Sequence, residues 1–378
     1  MSFKATKQMH RVRASLVGLA FVGLASAYVV APAAAQAPKA TPVATEVKVP
    51  AVFLNRLKTA PPDIKERIAA LQKEGKEKGW TFPIAYTQVA DRDLKTLTGL
   101  NPPPAQVLAR ATELNAQSNK ILELYKSELI KNKVVVANLA CGTNLSAWDW
   151  RTKGKVTPVP PAQACGDCWA FAATANIESA LLMAGWSQSD LSQMQIRSCS
   201  GAGTCAGGFY LGAMSYTTTT GAVTEPQYPY GTGAVAACKP NLPAGSKLLT
   251  VGWVDSSGNV PSQSVLKQAL CDHGPISIAI YASPALQMHG GGNAVFNEQN
   301  NGNTINHAIL LIGWSDAKQA WLIKNSWGTG WGDSGYAWIH YNSNRVGSYP
   351  VYAVAPNKKL ISITIPIDEI RKLHPLSM

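Results

Sequence analysis

The chain has 378 residues, 46% hydrophobic and 15% charged, with a formal net charge of +12 and seven cysteines. That composition excludes a disordered chain, and the length allows about two or three domains. Of the 34 basic and 22 acidic residues, 14 and 12 lie from Gly142 onward, so the positive excess sits in the first 141 positions and speaks against a nucleic-acid-binding protein.

In chain order, Lys4, Lys7, Arg11 and Arg13 precede an apolar run from Ala14 to Val30, and small residues follow up to Ala37. A cationic start, a short apolar stretch and small residues describe a secretory signal peptide, with cleavage expected after Ala35. The run is short for a span of about 20 residues. Export to an oxidising compartment lets disulfides persist, and an odd number of cysteines leaves one thiol over. Residues 36 to about 50, rich in Ala, Pro, Thr and Val, read as a loose linker. A helix is expected from Pro62, capped by Asp63, with Ile64, Ile68 and Leu71 on one face and Gly75 and Gly79 weakening or ending it. Residues 80–100 mix β-formers with a polar stretch, and Asn101-Pro-Pro-Pro104 breaks any regular element. A second helix is predicted over 105–132, where Val107, Ala111, Leu114, Ile121 and Tyr125 recur at three- and four-residue steps.

The next part opens near Leu145. A helix is predicted from Cys168 to Ala184, closed by Gly185, and a short one from Phe209 to Tyr216. From about Leu248 the period changes. Residues 275–281, 307–314, 320–323 and 336–341 read as buried or half-buried strands, with a helix over 262–273 between the β-formers. Within this part stand Cys168, in Gln163-Ala-Cys-Gly-Asp-Cys-Trp-Ala-Phe171; His307, 139 residues later; and Asn325, 18 residues beyond that. A thiol, an imidazole and amides able to orient the base or bind an oxyanion are what acyl transfer through a thioester needs. A helix N-terminus and an imidazolium both favour the thiolate, and Cys168 starts its predicted helix.

These segments resemble the papain-like, cathepsin-type cysteine peptidase family, as a secreted bacterial-type member. The match rests on the Cys168 segment, on Trp148-Asp149-Trp150-Arg151, on Asn306-His307-Ala308 and on Lys324-Asn-Ser-Trp-Gly-Thr-Gly-Trp-Gly332. The resemblance implies an α+β fold of two lobes, one helical and one β-barrel-like, with the cleft between them and a helical propeptide ahead. It implies a signal peptide at 1–35, an inhibitory propeptide at 36–141, a peptidase domain at 142–356 and a C-terminal extension at 357–378. It gives Cys168 the nucleophile role, His307 the acid/base role, and Asn325 that of orienting His307 under the shield of Trp327. Gln163 and the Cys168 amide would form the oxyanion hole. Substrate would meet Gly207, Gly208, Phe209, Tyr210, Ala279, Ala308 and Trp327, with a preference for a hydrophobic or aromatic residue one position before the cleaved one. By the family's pairing Cys165 bonds Cys205 and Cys199 bonds Cys238. Cys141 and Cys271 remain and can pair, although six cysteines allow many pairings. The implied product is an exported monomer, secreted or periplasmic, that needs no cofactor or metal. Its partners are protein or peptide substrates and its own propeptide.

Three departures qualify the match. Asp167 stands where Ser is usual, and its charge disfavours a thiolate if it points inward. The C-terminal disulfide of many relatives has no cysteine here, and the propeptide helix pattern of eukaryotic members is not evident, so a permanent N-terminal domain stays open. Rival functions fit less well. A thiol–disulfide oxidoreductase would use Cys165-Gly-Asp-Cys168, but it needs a βαβ context and leaves His307 and Asn325 idle. Structural zinc would need a further ligand pair. A catalytically dead scaffold would have no need of all four residues, whereas a thioester-resolving transferase would use the same ones.

Overall fold

Proline has its φ preset for a first helical turn and lacks an N–H that would go unused there. The computed structural model describes residues 48–134, 140–231 and 237–361, and its second helix starts at such a proline. Helix α1 (Ala51–Lys58) is followed by α2 (Pro62–Lys78), with Pro61 as the N-cap. Asp63 makes no capping hydrogen bond; it lies in the first turn, where its charge meets the positive end of the helix. Ile64 and Ile68 are buried, whereas Leu71 is half-buried. Gly75 does not end the helix. Trp80 lies on it, so an added Cβ would stand 2.8 Å from the ring, and Gly79 at φ 69° makes the left-handed stop. The expected signal peptide, most of the linker and most of the C-terminal extension lie outside the described residues.

Residues 80–100 form no long strand. They run extended, bridge Ile84 to His289 and Leu100 to Gly208, and include a short helix α3 (Leu94–Leu97) capped by Asp93. The helix expected over 105–132 is two helices, α4 (Ala105–Ala109) and α5 (Ala111–Lys131), broken at Arg110, whose φ −95° and ψ 3° leave the helical well. Beyond the break, Ala111 and Leu114 join the same buried cluster as Leu100 and Phe209. Asn115 and Ser118 bond the backbone of Trp253 and Val251 at the sheet edge.

The helical lobe begins after a short strand β1 (Ala147–Asp149). It contains α6 (Cys168–Met183), α7 (Gln193–Cys199), the two-residue strands β2 (Gly203–Thr204) and β3 (Gly207–Gly208), and α8 (Tyr210–Thr219). Helix α6 is apolar nearly all round, and 14 of its 16 residues are buried, so it serves as the central helix. The NH2 of its one amide is bonded by the other lobe: Asn176 donates to Ser277 Oγ and to Val351 O, both at 3.1 Å, while its buried Oδ1 has no hydrogen-bond partner among the described residues.

The β lobe contains β4 (Thr250–Trp253), α9 (Gln263–His273), β5 (Ile276–Ile280), α10 (Pro284–Gln287), β6 (Val295–Phe296), β7 (His307–Ser315), β8 (Ala320–Lys324), β9 (Tyr336–His340) and β10 (Ser348–Val354). The strand order is β4-β10-β5-β7-β8-β9-β6, with β1 beside β7 and only the β6–β9 pair parallel. Strands β5, β7 and β8 are buried at every position, as continuous apolar runs must be. Six cysteines form Cys141–Cys271, Cys165–Cys205 and Cys199–Cys238, and Cys168 is the free one.

Candidate active site

Cys168 is the first residue of α6, so the positive end of a long buried helix meets its sulfur. His307 is the first residue of β7, paired with Ile280 across the strand, and Asn325 follows directly on β8. The ladder between β7 and β8 therefore brings base and amide together: His307 Nε2 lies 2.8 Å from Asn325 Oδ1. That oxygen also accepts from Ser326 N at 2.8 Å, which fixes the amide's orientation. An amide oxygen only accepts, so Nε2 carries the proton and Nδ1 the lone pair. Nδ1 is buried with no hydrogen-bond partner among the described residues. Trp327 stacks on the imidazole at 4.7 Å and 27°, and keeps water from the His307–Asn325 bond.

Gln163 is fully buried and tied at both ends. Its Nε2 donates to Cys165 O at 2.7 Å, and its Oε1 accepts from Ser326 Oγ at 2.5 Å. The Gly166 amide bonds Cys205 O, so the disulfide strand sets the turn that delivers Cys168.

Burial pushes the Cys168 thiol up to about 12 and the His307 imidazole down to about 4. On the sulfur, the Ala308, Gly99 and Trp169 amides work against burial while the Asp167 charge adds to it; on the ring, the Asn325 bond resists it. Both groups are thus neutral at pH 7 in this state. The N-terminal segment is hydrogen-bonded across this site. Gly208 N donates to Gly99 O at 2.9 Å, Asn101 N to Gly208 O at 3.0 Å, and Leu100 N to Asn306 O at 2.9 Å. The segment continues along the cleft: Trp327 Nε1 reaches Leu97 O, Gln88 bonds Trp327 O and Gly330 N, and Arg92 bonds the Gln163 and Ala164 carbonyls. Glycine is required where it crosses the nucleophile's loop, because a Cβ on Gly99 would stand 1.9 Å from Gly166 O.

Gly207 and Gly208 form β3 on one side of this segment, and Ala279 and Ala308 are paired and buried on the other. Phe209 and Tyr210 open α8, with their rings stacked at 4.3 Å. Two aromatic residues that sequence reasoning did not single out join them: Trp253 lies 5.6 Å and Tyr349 6.0 Å from the Phe209 ring. Asp167 is buried, but its carboxylate turns to Arg197 and Tyr230 rather than into the cleft. A signal for that pair was present, since Arg197 is the one basic residue between Lys155 and Lys239.

Known proteins share the family and the fold of this chain. A family model described as papain family cysteine protease matches residues 145–355. A cathepsin L-like proteinase of Phaedon cochleariae is 30% identical over 283 residues, covering 70% of this chain and 83% of its own length. The structure of the bromelain protease from Ananas comosus with the E64 inhibitor superposes with a TM-score of 0.50 at 30% identity, over 56% of this chain and 99% of the other. A digestive procathepsin L 3 of Tenebrio molitor larval midgut shares the fold over 81% of this chain and all of its own, with a TM-score of 0.57 at 23% identity. That likeness of fold therefore reaches beyond residues 145–355 into the N-terminal segment.

Proposed function

The chain belongs to the papain family of cysteine proteases, and from that membership we propose that it is an exported endopeptidase zymogen whose nucleophile is Cys168. Nδ1 of His307 takes the proton of the Cys168 thiol, the sulfur attacks the peptide carbonyl, and the negative oxygen that forms faces the Cys168 amide and the Gln163 side chain. His307, aligned by Asn325, gives its proton to the leaving amine, and a thioester remains. His307 then takes a proton from water, the hydroxyl attacks the thioester, and the acid leaves as the thiol is restored.

The observation that carries this reading is the backbone pairing of Gly99 and Asn101 with Gly208 over Cys168. A cleft that holds an extended chain through main-chain hydrogen bonds is built for peptides. Leu100 shares its buried cluster with Phe209, Tyr210, Ala279 and Ala308, which supports a preference for a hydrophobic side chain next to the cleaved residue. Residues 36 to about 140 act as the inhibitor, 141–356 as the peptidase and 357–378 as an extension, with 1–35 removed at export. The bond from Cys141 to Cys271 of α9 draws that boundary to the near side of Cys141, because a cut after it would leave the inhibitor tethered. Three disulfides support a destination outside the reducing cytoplasm.

The test is peptide hydrolysis by the purified full chain, before and after processing with added pepsin, with Cys168→Ala in parallel. Activity is expected only after processing and only with Cys168. Activity that survives the substitution overturns the nucleophile assignment, and activity before processing overturns the inhibitory role. N-terminal sequencing of the active form checks the boundary: a start beyond Cys141 would contradict it.

A further inference from the structure

Asp167 stands between the disulfide-bonded Cys165 and the free Cys168, with no exposed surface. A carboxylate there opposes a thiolate on the next residue. Its side chain does not cap α6; its Oδ2 instead accepts from Arg197 at 2.9 Å and from the Tyr230 hydroxyl at 2.7 Å. Arg197, on α7, is itself buried, and it also reaches Met194 Sδ at 2.9 Å and Cys165 Sγ at 3.5 Å. The Tyr230 hydroxyl accepts from Ala164 N at 2.9 Å, while its ring packs edge-on against Phe171 at 5.0 Å. Tyr230 and Arg197 therefore grip both ends of the loop from Ala164 to Asp167.

A buried ion pair adds little net stability over an apolar replacement, so its siting against the nucleophile's loop calls for another account. Resting on the reading of Cys168 as nucleophile, we propose that Arg197 is a positioning residue of the reaction. It neutralises Asp167, so that no unpaired negative charge stands beside the developing thiolate, and with Tyr230 it fixes the loop that carries Gln163 and the Cys168 amide.

Other charged and titratable groups in range do not replace it. Arg92 acts on Asp167 from the N-terminal segment and departs with that segment. Glu225 binds the Tyr230 backbone amide from the far side. On the sulfur side stand Tyr210 and His307, the latter one residue before the Ala308 amide that reaches the thiol. Burial pushes the Asp167 carboxyl up, and the Tyr230 hydroxyl and Arg197 act against that.

The experiment follows the pH dependence of Cys168 alkylation by iodoacetamide and of kcat/KM on a peptide. Each variant is made as the full chain and processed with added pepsin. Arg197→Gln is expected to move the acidic limb of both profiles up by about one pH unit. Below that limb kcat/KM falls by about tenfold, with KM changed by less than about twofold. Adding Asp167→Asn to that variant brings the limb back, Asp167→Asn alone moves it down, and Arg197→Lys moves it least. A limb that stays put in Arg197→Gln, or a double variant no better than the single one, overturns the proposal and leaves Arg197 a structural role. If Arg197→Gln does not fold, Asp167→Asn decides alone: a limb unmoved or raised overturns it. Processed wild-type protein that neither alkylates at Cys168 nor cleaves peptide sinks the nucleophile reading instead, a result distinct from any of these.

Discussion

Gln163 shows how closely single residues are held at this site. Both ends of its buried amide are bonded within the folded protein, to Cys165 O and from Ser326 Oγ, so it needs no reorganisation to meet a developing oxyanion. Gln163→Ala is expected to lower kcat of the processed enzyme by about a hundredfold or more, with KM little changed, because the interaction strengthens only as charge develops. Steady-state kinetics on a peptide substrate check it: a raised KM at unchanged kcat would assign Gln163 to ground-state binding. Residues of this kind are legible in the sequence because each sits in a local motif. Cys168 has Gln163 and Trp169 near it, and Asn325 has Trp327. Arg197 and Tyr230 act on Asp167 from 30 and 63 residues away and leave no local pattern, so only their charge and burial disclose them.

At the scale of elements, the extended stretch through the cleft depends on one missing side chain. A Cβ on Gly99 would press on the Gly166 carbonyl, which belongs to the nucleophile's own loop and has little room to give. Overpacking of this kind costs about 1–3 kcal/mol. Gly99→Ala is therefore expected to raise the open fraction of the full chain by about 5- to 150-fold. Alkylation of Cys168 in the unprocessed protein reads that fraction directly, and a rate equal to wild type would mean that the segment is not seated by this contact. Which elements the sequence discloses follows from how they are buried. Strands β5, β7 and β8 and helix α6 are continuous apolar runs and stand out. Helix α7, QMQIRSC, is buried although mostly polar, because Ser192, Gln195 and Arg197 find partners only in the folded protein. Strand β10 contains Pro350, which argues against a strand; it is tolerated where the register shifts between Ser348 and Val351, and its carbonyl accepts from Val254.

Across the whole molecule, two histidines among the described residues, His289 and His307, are fully buried, and His289 lies where the N-terminal segment meets the β lobe. His289 has no exposed surface, and neither ring nitrogen has a hydrogen-bond partner among the described residues. Phe82 of the segment meets it edge-on at 5.5 Å, and Phe296 and Trp331 close the cage at 5.8 Å each. The backbone is joined there too, through Ala85 N to Met288 O and Gly290 N to Pro83 O. Burial alone pushes the His289 imidazole down to about 3, and it likewise holds His273 and His307 at about 4. The ring is neutral in the fold and titrates near 6.5 once exposed. Its folded value is the lower one, so its contribution is fully present above about pH 6.5 and is lost as the pH falls towards 3. Between neutrality and about pH 4.5, His289 alone accounts for about 2–3 kcal/mol of lost stability, and Phe82 is the part of its cage that the N-terminal segment supplies. Acid is thus expected to loosen the segment from the cleft before it harms the sheet behind it. His289→Phe in a Cys168→Ala background, where no self-cleavage intervenes, removes this titration and keeps the apolar cage. Hydrogen exchange at residues 82–86, compared between neutral and acid pH, should rise steeply in the parent and much less in the variant. Equal rises in the two proteins would place the acid sensitivity elsewhere, with His307 under the same segment as the next group to test.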